Sequence, residues 1–235
     1  MNQGMQEPPA AEKLKISSIP LHQELLHRDN HEYQITTDIS SELRVATLAY
    51  LSIQQEFNRI GKAVKADLPP DIERLTPFID ALVDSIVRNP AAAVWLARLK
   101  SKSSYAHRHC ISCAILCGAM ARQLGLSREE LFNLTLSGLL IDIGKLRLLR
   151  KATELTAAES HLARRHIQDG IGILKNTSLP IEIINAVRHH HERFNGCGYP
   201  SQLAGTDIPL YARIAGIVDC YDALTSPRYY ATPIP

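Results

Sequence analysis

Apolar residues return every three to four positions through most of this chain and nowhere alternate, a pattern that predicts helices and no strands. The first stretch with this period runs from Asp38 to about Lys65, with Leu43, Ala46, Leu48, Leu51, Ile53 and Phe57 as its apolar positions. Pro69-Pro70 ends it and offers a start for a second helix, interrupted at Pro77 and continuing through Ile79, Leu82 and Ile86 to Asn89. Ala91 to Leu99 is a further helical piece and carries Trp95. Ahead of these, Met1 to Ser18 is polar, bears prolines and is expected to be mobile. Ile19 to Thr37 is irregular, with His22, His27 and His31 expected in solvent.

From Ser101 onward the helical signals sharpen. Tyr105 to Leu124 is apolar at helical period and contains His109. Ser127 to Glu130 has the spacing of a capping box, opening a helix through Leu139-Leu140 to Asp142, with a stop at Gly144. Thr156 to Glu159 has the same spacing and opens a helix through His161 and His166 to about Leu174. Pro180 starts a helix that ends at His189-His190-His191, and a last helix covers Leu210 to Leu224 with Asp219 and Asp222. The expected fold is all-α, with residues 1–100 as a helical lead-in and 101–235 as the main domain. The lead-in shows no constellation of chemical groups and is either part of that domain or a dimerising element.

Composition narrows the function. The 235 residues are 45% hydrophobic and 21% charged, an ordinary globular mix. A formal charge of +2 is too small for a nucleic acid polymer or an anionic membrane to be the main partner. With no apolar run of membrane-spanning length and no leader, the expected location is cytoplasmic. Cys110, Cys113 and Cys117 recur at helical spacing, which favours one buried helix face over an iron–sulfur site. All five cysteines are read as reduced thiols.

Chemistry concentrates where polar residues interrupt apolar helix faces: His109, Asp142, His166, His190, His191 and Asp219. One histidine on such a face is more often a hydrogen-bonded core residue than a ligand. Six such groups spread over successive helices are satisfied together by one shared metal centre. Imidazole and carboxylate without thiolate suit iron, manganese or zinc in a catalytic site, and phosphoester hydrolysis follows from such a centre. After His191 the chain turns at once through Asn195-Gly196 and Gly198 to Tyr199-Pro200, a stiff, glycine-rich loop beside the imidazoles.

These residues resemble the HD-GYP phosphodiesterases, a branch of the HD metal-dependent phosphohydrolases. The resemblance covers roughly Ser101 to Ala231. It includes Leu139 to Lys145, His166 with Gly170, the stretch His190 to Pro200, Arg213-Ile214, Asp219 to Ser226, and Arg228. It implies an HD-type bundle of about five to seven core helices, holding two or three metal ions, usually iron or manganese; for this chain the expectation is one or two ions, iron or manganese, with zinc as a further candidate. The implied substrate is cyclic di-GMP, cut to pGpG and on to GMP. In that family's scheme Asp142 bridges two metals, His166, His190 and His191 hold one of them, and Asp219 holds the other. His109 lines the same pocket, Lys145 meets the scissile phosphate, Gly198, Tyr199 and Pro200 shape the rim, and Arg228 contacts phosphate or guanine.

The resemblance has departures. The family's His-Asp pair is Ile141-Asp142 here, so a metal ligand has become a hydrocarbon. The segment between Lys145 and Lys151 is shorter than usual, and Lys151-Ala152-Thr153 stands for a Lys-Pro-Gly turn. Asn195 replaces a common Asp, and Tyr229-Tyr230-Ala231 replaces Pro-Tyr followed by a basic residue. Two readings result: a phosphodiesterase with a weakened metal site, or an inactive cyclic di-GMP sensor or protein-interaction module. A homodimer or a signalling-protein partner is compatible with either.

Overall fold

The computed structural model describes residues 30–98, 105–148 and 159–226, and among these every regular element is helical. Helix α1 (Ile39–Lys65) starts where Asp38 accepts a hydrogen bond from the Ser41 backbone N–H at 3.0 Å. Its buried stripe is Ala46, Ala49, Ile53, Phe57, Ile60 and Val64. Leu48 and Leu51, expected on that stripe, face outward at 68% and 51% exposure, and Leu43 is half-buried. The small side chains of Ala46 and Ala49 bring the backbone against its neighbours, and this choice turns the two leucines away. Glu42 is buried at the same end, held by Arg88 at 2.8 and 2.9 Å.

Pro77 does not interrupt the second helix. It sits in the first turn of α2 (Thr76–Arg88), after a 3-10 turn over Glu73–Leu75, where its missing N–H has no carbonyl to meet. Next come α3 (Pro90–Arg98), α4 (Tyr105–Gln123) and α5 (Arg128–Leu140). The Ser127–Glu130 capping box at the start of α5 is formed in both directions. Helix α5 closes at Leu140, with Ile141 as its cap, short of the expected Asp142. Gly144 does not end the run. A short helix α6 (Lys145–Leu148) follows it directly.

The remaining helices are α7 (Glu159–Leu174), α8 (Ile181–His189) and α9 (Leu210–Thr225), with a 3-10 turn over Gly205–Asp207. The residues before Glu159 that were expected to form a second capping box lie outside the described residues. So do Met1 to Ser18, His22, His27 and Arg228. His31 is exposed, as expected.

One continuous apolar core runs from Ala46 on α1 to Val218 on α9, and α1 to α3 share it with α4 and α5. Cys110, Cys113 and Cys117 lie inside it along α4; Cys197 is exposed and Cys220 half-buried. No described helix is long and apolar enough to cross a membrane.

Candidate metal centre

Five pieces of chain meet at one point: the first half of α4, the turn after α5, the first half of α7, the end of α8 and the second half of α9. Their meeting depends on a close approach at Gly144. A Cβ there would run into the His166 carbonyl oxygen and lie 2.7 Å from the Gly170 N, so the turn carrying Asp142 is pressed onto α7 only because residue 144 has no side chain.

Asp142 is the shared residue. It is 3% exposed, and its Oδ1 lies 3.5 Å from His166 Nε2 and 4.0 Å from His190 Nε2. Its Oδ2 lies 3.5 Å from His109 Nε2 and accepts from Lys145 Nζ at 2.5 Å. Asp142, His166, His190 and His191 each offer a ligand atom within 4.8 Å of the others, and His109, Asp142 and Asp219 do the same. The structure therefore brings together all six histidine and aspartate residues expected at the site, with Lys145 beside them.

The protonation of these groups follows from their neighbours. His190 faces the Val187 carbonyl through Nδ1 at 3.0 Å, so the Nδ1 proton is donated there and Nε2 keeps its lone pair toward Asp142. Burial pushes the His190 pKa down to about 4 and that of His191 to about 3, which keeps both neutral at physiological pH. For Asp142 burial favours protonation, but Lys145 and the His109 hydrogen bond outweigh it and hold the carboxyl well below its usual range. For His109 burial opposes charge, yet Cys113 and the hydrogen bonds with Asp142, Asp219 and Asp222 raise its pKa well above the ordinary value.

Two buried atoms test whether a cation fits. Asp142 Oδ1 and His190 Nε2 both carry lone pairs, both are enclosed, and neither has a hydrogen-bond partner among the described residues. A buried carboxylate oxygen facing imidazole lone pairs is a costly arrangement that a cation satisfies. The donor set fits a metal, and the fit is best where Asp142, His166, His190 and His191 converge.

Other expected residues fall around this point in different ways. Ile141 is fully buried in the apolar core and offers no ligand atom. Tyr199 stacks on His191 with ring centroids 4.7 Å apart and planes 27° apart, and the Tyr199–Pro200 peptide is cis. Of the two loop glycines, only Gly196 takes a positive φ, at 76°. Gly198 is needed for another reason: a Cβ there would run into the backbone of Glu192 and Arg193.

Two residues not expected at the site from the sequence belong to it. Asp222 is 2% exposed, and its Oδ2 lies 2.6 Å from His109 Nδ1, on the far side of the ring from Asp219. Its spacing of three from Asp219 along one helix was the available signal. Glu192 is buried and accepts from the backbone N–H groups of Ser201 at 2.6 Å and Leu203 at 3.1 Å, so it closes the loop that carries Tyr199.

Comparison with known proteins agrees with this geometry. Residues 90–235 match the family model described as HD domain. The chain is 37% identical over 177 residues to the cyclic di-GMP phosphodiesterase PA4108 of Pseudomonas aeruginosa, covering 73% of this chain and 41% of that protein. It is 40% identical over 120 residues to the cyclic di-GMP phosphodiesterase response regulator RpfG of Xanthomonas campestris, covering 48% and 32%. It is also 28% identical over 204 residues to the 3'3'-cGAMP-specific phosphodiesterase 2 of Vibrio cholerae, covering 82% and 38%. The chain thus spans 32–41% of the length of these relatives.

Proposed function

The chain belongs to the HD domain family, in its HD-GYP branch, and on that premise we propose that it is a metal-dependent phosphodiesterase of cyclic dinucleotides. The substrate in this reading is cyclic di-GMP, cut to pGpG and GMP, as the names of two of the relatives above suggest. The observation that carries the reading is the pair of enclosed atoms without a hydrogen-bond partner among the described residues, Asp142 Oδ1 and His190 Nε2, at the centre of a His and Asp cluster. Residues 101–235 are the HD-GYP-like unit, and residues 1–100 its helical lead-in.

His166, His190, His191 and Asp142 hold one ion, iron or manganese with zinc as a further candidate. His109, Asp142 and Asp219 hold a second more weakly. The bound metal supplies a polarised phosphoryl oxygen and a water acidified toward neutral pH. The chain's own residues do the rest. His190 and His191 are already neutral, so no proton competes for their lone pairs near pH 7. Val187 fixes the His190 tautomer and Asp222 orients His109. Lys145, kept protonated by Asp142, is placed to neutralise the phosphate under attack. Tyr199, Gly198 and Pro200 form the rim, and Arg228 is assigned to the substrate by its position in the sequence.

The second reading, a cyclic di-GMP sensor or interaction module without turnover, is favoured by Ile141, which fills with hydrocarbon the position of the family's histidine ligand. Metal analysis of the purified chain, combined with a cyclic di-GMP hydrolysis assay under manganese or iron, separates them. Turnover that is lost in a His190→Ala/His191→Ala double variant supports the enzyme. Bound cyclic di-GMP with no product supports the sensor. Metal content unchanged in the double variant overturns the assigned centre.

A further inference from the structure

The side-chain contacts that leave the metal centre end on a cation. His191 Nδ1 lies 3.9 Å from Asp219 Oδ2, the His191 ring stacks on Tyr199, and the guanidinium of Arg164 lies 5.0 Å from the Tyr199 ring centre. Arg164 is exposed, on α7 two residues before His166. The adjacent Arg165 is already paired, with Asp169 at 3.5 Å. Arg164 makes no ion pair among the described residues. A guanidinium resting on an aromatic face keeps its N–H donors, which lie in its own plane, available at the edge. The stack also limits the arm's freedom, so less entropy is lost when those donors engage.

We propose that Arg164 is a substrate-binding residue, held by Tyr199 at the rim so that its guanidinium meets a phosphate of the cyclic dinucleotide. This rests on the phosphodiesterase reading above. A cyclic dinucleotide has two phosphodiester charges, and an ion at the centre with Lys145 engages the one being cut. The other needs a cation a few ångströms away, at the edge of the site. Arg164 supplies such a cation from α7, over the ring of Tyr199. Tyr199 then couples a metal-ligand histidine to the cation that meets the substrate.

The test is calorimetry on the manganese-loaded chain with the bis-phosphorothioate analogue of cyclic di-GMP, which resists cleavage. Arg164→Ala is expected to weaken binding by about tenfold or more, the loss typical of a charge-assisted contact. Arg164→Glu should weaken it further, because a like charge then faces the phosphate. Metal content and melting temperature should match wild type in both variants. Affinity of Arg164→Ala within about twofold of wild type, or equal affinities for the Ala and Glu variants, overturns the assignment while leaving the phosphodiesterase reading intact. Failure of wild type itself to bind the analogue overturns both.

Discussion

Asp222 stands behind His109: its Oδ2 is 2.6 Å from the imidazole Nδ1, while Nε2 of the same ring faces Asp219 at 3.1 Å and Asp142 at 3.5 Å. A carboxylate that holds one ring nitrogen sets the tautomer and direction of the other, and loss of such a partner typically costs about 10- to 100-fold in metal affinity. Asp222→Ala is therefore expected to lower metal occupancy at the His109, Asp142 and Asp219 group while leaving the His166, His190 and His191 group loaded. Metal titration of the stripped variant reads this directly. Unchanged affinity throughout would show that His109 does not bind metal through Nε2.

Acid should destabilise the metal-free protein well above the carboxylate range. His190 and His191 titrate near 4 and 3 when folded, and near 6.5 when unfolded. Between those values the unfolded chain binds protons that the folded chain refuses, so stability falls as pH falls from about 6.5 toward 4. His190 alone contributes roughly 3 kcal/mol to that loss, at about 1.4 kcal/mol per pH unit over the window from about 6.5 to about 4. The lowered Asp142 adds a further loss only below its ordinary pKa. His109 has the opposite sign, since its raised pKa contributes stability that is lost as pH rises through it. Thermal melts of the stripped chain between pH 4 and pH 8 check this, and His190→Phe should flatten the acid limb.

The thiols should divide by burial. Cys110, Cys113 and Cys117 are enclosed in the core, and burial raises all three pKa values, that of Cys113 to about 11. Cys197 is exposed. A thiol reagent at pH 8 should modify Cys197 fast, Cys220 more slowly, and the α4 trio only on unfolding. Rapid reaction of the trio in the native protein would contradict the packing of α4 described above.

The helices and their chemical residues were legible because both are local signals. Capping spacing placed the start of α5 to the residue, and polar positions on apolar faces picked out His109, Asp142, His166, His190, His191 and Asp219. Periodicity said less about which of two apolar stripes on α1 is buried, since Leu48 and Leu51 satisfy the same period as Ala46 and Ile53; only the packing partners decide. Helix α6 was missed because Gly144 is a good stop in isolation, whereas here it is a contact point with α7. The Asp222–His109 pair joins residues 113 positions apart, and no local pattern encodes such a contact.

Ile141 decides between enzyme and sensor. Its side chain is completely buried, at the end of α5 and next to the shared Asp142. With a hydrocarbon there, the second group keeps only His109, Asp142 and Asp219. A loosely held ion is a poor source of hydroxide at neutral pH, because acidification of its water depends on a tight, well-oriented cation. Wild type is expected to hydrolyse cyclic di-GMP slowly or not at all. Ile141→His should cost the metal-free protein about 1–3 kcal/mol, as an apolar core position becomes polar. Added manganese should restore that stability by binding the folded state. Metal content per chain and turnover should then rise together, the latter by at least about tenfold for each ~1.4 kcal/mol of transition-state stabilisation regained. Metal gained without turnover would place the protein with the sensors. Wild-type turnover that the substitution does not improve would show that three ligands at the second group are enough.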